Sequence, residues 1–301
     1  MDTLATAFRE QIKKALALTK VATTVTEQNV YQEGDMNILP ILDNMVETLL
    51  LSGSGVDGME NLEELFSKAE TGKSCLLLVE HYSNFDLSLV SYLVRKAGGR
   101  GEDISRALVA IAGMKLNEDN PVVAAFASAY TRIVIYPSRS LYGLDAEKNR
   151  EEIIRSNGIN RAAMRTLNDI KVKGRIVLVF PSGTRYRSWD PSTKKGVREI
   201  DSYIRSFDYM CCVALNGEIL HVQQTDMLND AVERDIIRIT TGPVLSCAEF
   251  RDKARAAAEA LGIEDKKQAA VDAVTAELEK MHLAAEERRQ KLLNRGAYAS
   301  V

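Results

Sequence analysis

From about residue 75 to residue 240 the chain keeps returning to one pattern, a short aliphatic or β-branched run followed by a stretch with helical periodicity. The runs are Cys75–Glu80, Ala107–Ala112, Arg132–Tyr136, Arg175–Phe180, Tyr209–Leu215 and Asp235–Thr240. Strands that read as nearly continuous apolar runs need cover on both sides, and the intervening helices supply it. The pattern predicts an α/β fold, with a mixed, mostly parallel central sheet covered by helices. Pro137 and Pro181 each stop a strand, which matters because ligands of open α/β sheets collect at strand ends.

Before that region the periodicity is helical. Leu4, Phe8, Ile12 and Leu16 recur every four residues, Ile38, Ile41, Met45 and Leu49 form a second stripe, and no strand is expected there. Ser52-Gly53-Ser54-Gly55 reads as a flexible break and Glu60 to Lys68 as a short helix leading into the first strand. The expected organisation is a helical domain over residues 1–65 and an α/β domain over residues 66–301. Asn157-Gly158 reads as a turn before a helix carrying Met164, Leu167 and Ile170. In the tail, Val271, Val274, Leu278, Met281 and Ala285 fall at coiled-coil-like spacing, which predicts a long helix packed on the body, with an oligomer seam as the alternative.

With 301 residues, 46% of them hydrophobic, the chain can bury a substantial core. Its net charge of −3 lacks the basic surplus that nucleic-acid binding needs. Cys75, Cys211, Cys212 and Cys247 show no C-x-x-C spacing, so neither a zinc site nor a disulfide framework is expected, and a reduced, cytoplasmic compartment fits. The start, Met1-Asp2-Thr3-Leu4, lacks the basic n-region and continuous apolar h-region of a secretory signal, so none is expected. No run approaches the roughly 20 apolar residues of a membrane span, so any membrane contact is expected to be peripheral. The first helix sets its apolar stripe against Arg9, Lys13, Lys14 and Lys20; this is either an interfacial face or, the expectation here, core.

The chain holds three histidines, and His81 directly follows the first strand, inside Glu80-His81-Tyr82-Ser83-Asn84-Phe85-Asp86. Asp86 opens a helix through Leu89, Tyr92 and Leu93, so a tight turn would return its carboxylate to the imidazole. A carboxylate on one ring nitrogen fixes the tautomer and leaves the other to take a proton. Against this stands a plainer reading, in which Ser83-x-x-Asp86 is a capping box that satisfies backbone donors. A second cluster, Pro181-Ser182-Gly183-Thr184-Arg185-Tyr186-Arg187, also follows a strand. Guanidinium groups supply permanently charged, bidentate donors for phosphate, and glycine lets backbone N–H groups approach an anion. The alternative is an exposed basic loop before Trp189-Asp190-Pro191.

His81 to Asp86 resembles the histidine, four-residue, aspartate motif of the glycerolipid acyltransferases, and Phe180 to Arg185 resembles their Phe-Pro-Glu-Gly-Thr-Arg block, in the same order and each after a strand. Ser182 stands where that block usually has glutamate, a carboxylate that lysophosphatidate acyltransferases commonly carry. With Arg187 and Asp190-Pro191-Ser192-Thr193, the stretch from about residue 65 to 245 is most similar to the soluble, plastid-type glycerol-3-phosphate acyltransferases, which also have an N-terminal helical domain. The resemblance implies transfer of a fatty acyl group to glycerol-3-phosphate in phospholipid synthesis, with acyl-CoA or acyl carrier protein as donor and no cofactor. It makes His81 the general base and Asp86 its partner. Arg139, Ser182, Gly183, Thr184, Arg185 and Arg187 would hold the substrate, Arg139 standing with Ser140 in place of a basic pair. A lysophosphatidate acceptor, or a catalytically silent lipid- or phosphate-binding protein, are the alternatives.

Other motifs carry less. Gly72-Lys73-Ser74 ends like a P-loop but precedes a strand, and Gly53-Ser54-Gly55 lacks the spacing of a nucleophile elbow. His221 and His282 are expected to be structural or solvated, with no histidine pair spaced for metal.

Overall fold

Cys75–Val79 is buried at every position, and this strand lies at the middle of the molecule. The structure, a computed structural model, describes residues 1–20, 24–118, 120–141, 145 and 148–294. Strands, in chain order, are β1 (Tyr31–Gln32), β2 (Gly55–Asp57), β3 (Cys75–Val79), β4 (Leu108–Gly113), β5 (Arg132–Ile135), β6 (Ile176–Val179), β7 (Tyr209–Asn216), β8 (Leu220–His221), β9 (Ala231–Val232), β10 (Arg238–Thr241) and β11 (Leu245–Ser246). Helices are α1 (Leu4–Ala7), α2 (Arg9–Leu18), α3 (Leu39–Leu49), α4 (Met59–Glu70), α5 (Asp86–Lys96), α6 (Gly101–Ala107), α7 (Lys115–Glu118), α8 (Pro121–Ala127), α9 (Arg150–Ile170), α10 (Ile200–Ser206), α11 (Cys247–Ala260) and α12 (Lys266–Asn294).

Among the described residues the main sheet has nine strands, in the order β1-β5-β4-β6-β3-β7-β10-β2, with β11 also on β7. The five central strands, β5 to β7 in that order, are parallel; β1 and β10 join antiparallel. This is the mixed, mostly parallel sheet that the alternating runs predict. Successive side chains of a strand point to opposite faces, and the core divides accordingly. Cys75, Leu77 and Val79 pack with residues of α2 to α6 and α8, whereas Leu76 and Leu78 pack with residues of α9, α10 and α12. β3 and β6 are neighbours in register, Leu78 opposite Val179. The chain leaves β3 for α5 on one face and leaves β6 for α10 on the other. Adjacent strand ends whose connections part to opposite faces open a crevice between them.

Several expectations change. β1 and β2 lie within the first 65 residues, where no strand is expected; at two and three residues they carry no periodicity to read. Leu4, Phe8, Ile12 and Met45 share one buried cluster with Leu77 and Val213 of the sheet. The first apolar stripe is core at Leu4, Phe8 and Ile12, but the helix breaks at Phe8 and Leu16 is 39% exposed. Asn157-Gly158 makes no turn, because α9 runs straight through it. Gly158 is buried within that helix and has no role in chain reversal. No helix of the described residues is long and apolar enough to cross a membrane.

Gly101 marks the tightest approach of α6 to α5, since a Cβ there would stand 2.0 Å from the Val94 carbonyl oxygen. Backbone cannot swing aside as a side chain can, so Gly101→Ala should destabilise the protein by about 1–3 kcal/mol. Urea unfolding measures this, and an unchanged midpoint would contradict the packing.

Candidate active site

The end of β3 feeds a turn that α5 closes. Asp86, the first residue of α5 and only 2% exposed, accepts four hydrogen bonds. Its Oδ2 takes His81 Nδ1 at 2.8 Å, Tyr82 N at 2.5 Å and Ser83 N at 2.9 Å, and its Oδ1 takes the Ser83 hydroxyl at 2.8 Å. Ser83 Oγ in turn accepts from Phe85 N at 3.1 Å. Asp86 thus joins the imidazole and satisfies backbone donors at once; the plainer reading of the sequence and the catalytic one describe the same carboxylate. An ionised carboxylate only accepts, so the Nδ1 proton is fixed and Nε2 is left as the basic nitrogen. A negative charge at a helix N-terminus is also favoured by the helix dipole.

The His81 ring stacks on Phe180, centroids 4.0 Å apart and planes 16° from parallel. Phe180 follows β6, so the two neighbouring strand ends hold the imidazole between them. Beyond it the chain reverses tightly: Gly183 N donates to Phe180 O at 2.9 Å, and Gly183 has φ +61°, a left-handed conformation that glycine adopts without strain. Ser182 is buried, its hydroxyl donating to Thr184 O at 2.6 Å. The loop then crosses back over β3, where Tyr186 N donates to the His81 carbonyl at 2.8 Å.

Arg185 and Arg187 therefore flank a residue bonded to His81 itself. Arg185 Nη1 lies 3.2 Å from Asp230 Oδ2. Burial pushes the Asp230 carboxyl above its ordinary range, against the pull of the Gln223 amide and of Arg185. Among the described residues, this one guanidinium contact leaves further N–H donors of Arg185 unused. The Arg187 amide donates to Thr193 Oγ1 at 2.9 Å. Arg139 falls in the 3-10 turn Ser138–Leu141 after β5, and its side chain lies outside the described residues.

A small open pocket, about 30 Å³ in cavity volume, adjoins the imidazole, walled by His81, Tyr82, Ser182, Tyr186, Lys194 and Leu278. Two residues beside His81 and Tyr82 escape the sequence. Glu80, 7% exposed, accepts the Tyr82 hydroxyl at 3.0 Å and Leu215 N at 2.9 Å, and it pairs with His282 Nδ1 at 2.8 Å. An acidic residue straight after an all-apolar strand was the one available signal. His282, expected to be structural or solvated, lies 202 residues away on α12 and offers no spacing to read. Burial opposes its charge, but the Glu80 carboxylate outweighs this and holds its pKa above the ordinary value.

The four thiols are buried and unpaired. Burial raises those of Cys75, Cys212 and Cys247 to about 12, far from the thiolate a nucleophile needs.

A family model described as Acyltransferase matches residues 55–240, and the chain belongs to that acyltransferase family. The match runs from β2 to the last strand but one of the sheet, includes both site loops, and stops short of α12. No curated protein matches the chain.

The raised His282 pKa has a consequence for stability. A histidine whose folded pKa exceeds its unfolded value, about 6.5, stabilises fully below that value and loses the contribution as pH rises through the folded one. Wild-type protein should therefore exceed His282→Asn in stability most at pH values below about 6.5 and progressively less above. Denaturation midpoints across this range check it; a difference independent of pH would break the Glu80–His282 assignment.

Proposed function

We propose that this protein is a glycerol-3-phosphate O-acyltransferase, moving a fatty acyl group from acyl-CoA or acyl carrier protein to a glycerol hydroxyl in phospholipid synthesis. The observation that carries the reading is the imidazole at the end of β3, buttressed by Asp86 and crossed by an arginine-bearing loop bonded to its own carbonyl. Family membership supplies acyl transfer. The choice of glycerol-3-phosphate rests on the plastid-type resemblance and on Ser182 in place of the usual glutamate.

In this mechanism His81 Nε2 takes the hydroxyl proton as the oxygen attacks the thioester carbonyl. The tetrahedral intermediate collapses, the carbon–sulfur bond breaks, and the imidazolium returns the proton to the departing thiolate. Asp86 stabilises the imidazolium and holds its orientation. Arg185 and Arg187, with Arg139, hold the phosphate so that the hydroxyl meets the imidazole; positioning of this kind supplies much of an enzyme's rate. Ser182, Gly183 and Thr184 shape the turn that presents them. The protein works in the cytoplasm and meets the membrane, if at all, at its surface.

His81→Ala should abolish thiol release from the acyl thioester while leaving the fold intact. Near-normal turnover by the folded variant would refute the base. Arg187→Ala should raise KM for glycerol-3-phosphate about 10-fold or more with kcat little changed, as expected for loss of a charged contact made equally in ground and transition states. An unchanged KM would remove the phosphate role. Thiol release with lysophosphatidate alone would move the acceptor assignment, and release with neither acceptor would leave a silent binding protein.

A further inference from the structure

The residues on either side of His81 are held by a helix that the family match does not reach. Glu80 and Tyr82 bracket the imidazole in sequence, and their side chains meet each other, hydroxyl to carboxylate, at 3.0 Å. His282 of α12 closes the group, its Nδ1 lying 2.8 Å from Glu80 Oε2 and 3.2 Å from the Tyr82 hydroxyl. The turn of α12 that carries His282 is itself fixed to the sheet, because Asn216 Nδ2 donates to the His282 carbonyl at 3.1 Å. The same helix meets the other loop of the site. A Cβ on Gly196 would lie 2.4 Å from Val271 Cγ1, and Lys194 forms an ion pair with Glu279.

Packing alone does not call for this arrangement. α12 buries Val271, Val274, Leu278 and Ala285, which suffices to dock a helix. Burying a carboxylate with an imidazole costs desolvation that aliphatic residues would avoid. What the polar group adds is a fixed register, since the contacts of His282 Nδ1 end on Glu80 and Tyr82, the two residues that flank His81.

We propose that His282 is a positioning residue for acyl transfer: through Glu80 and Tyr82 it holds the backbone on both sides of His81, so that α12 sets where the imidazole stands relative to the arginine loop. This rests on the reading of His81 as the base. A base displaced by a fraction of an ångström still binds no substrate and so leaves affinity alone, while the rate falls steeply.

The test uses the purified full chain with glycerol-3-phosphate and an acyl thioester, comparing His282→Ala and His282→Asn. The alanine variant should lose about tenfold or more in kcat, with KM for the acceptor within about twofold. Hydrogen–deuterium exchange should quicken at the Tyr82 and Ser83 amides, both of which donate to Asp86. Asparagine, whose Nδ2–H takes the place of the ring N–H, should recover most of the rate and of the protection. Unchanged kcat in folded His282→Ala, a loss borne by KM, or no recovery with asparagine would each overturn the inference. Should the alanine variant fail to fold, Tyr82→Phe deletes only the hydroxyl to Glu80, and an unaltered kcat there would overturn it equally. A wild type inactive toward every acceptor defeats the proposed function and the inference together; an active wild type whose variants match it defeats the inference alone.

Discussion

A single carboxylate organises the centre of this molecule. Asp86 receives an imidazole, two amides and a hydroxyl, and nearly all of its surface is hidden from water. A buried anion is tolerable only when its acceptor sites are filled, and here the donors come from the five residues before it. The turn between β3 and α5 is therefore specified by the need to satisfy that charge, and the tautomer of His81 follows from the same bond. The shape of the turn and the tautomer of His81 are two outcomes of one contact.

The arginine loop depends on the same place. It reaches His81 through the stack of Phe180 and the bond from Tyr186 N, both near the ends of paired strands. Parallel registration of β3 with β6 delivers the two loops to the same height. Asp230 then orients Arg185 from the opposite side. The candidate site is thus densely hydrogen-bonded around His81 and less so at Arg185.

Much of this was legible in the chain itself. Every central strand shows as an apolar run, with edges displaced by a residue or two, because strands covered on both faces must be apolar throughout. His81 with Asp86 and the 181–187 turn could be read since their residues are close in sequence and follow strands. What escaped is long-range or local without period. β1 and β2 are too short to alternate, Asn157-Gly158 reads as a turn although α9 runs through it, and Glu80 looks like the last residue of a strand. His282 is invisible for a different reason: its partner is fixed by how α12 lies across the sheet, which no local pattern encodes.

The two shortest strands have an importance their length conceals. β1 lies against one margin of the main sheet and β2 against the other, and both come from the same stretch ahead of β3. Unpaired margins are templates for association with other chains. A fragment trimmed at residue 66 would keep the His81–Asp86 turn and the arginine loop yet bare both margins, along with the apolar floor that α1 to α3 cover. The segment that holds none of the proposed chemistry is thus what covers both margins of the sheet on which the candidate site is built.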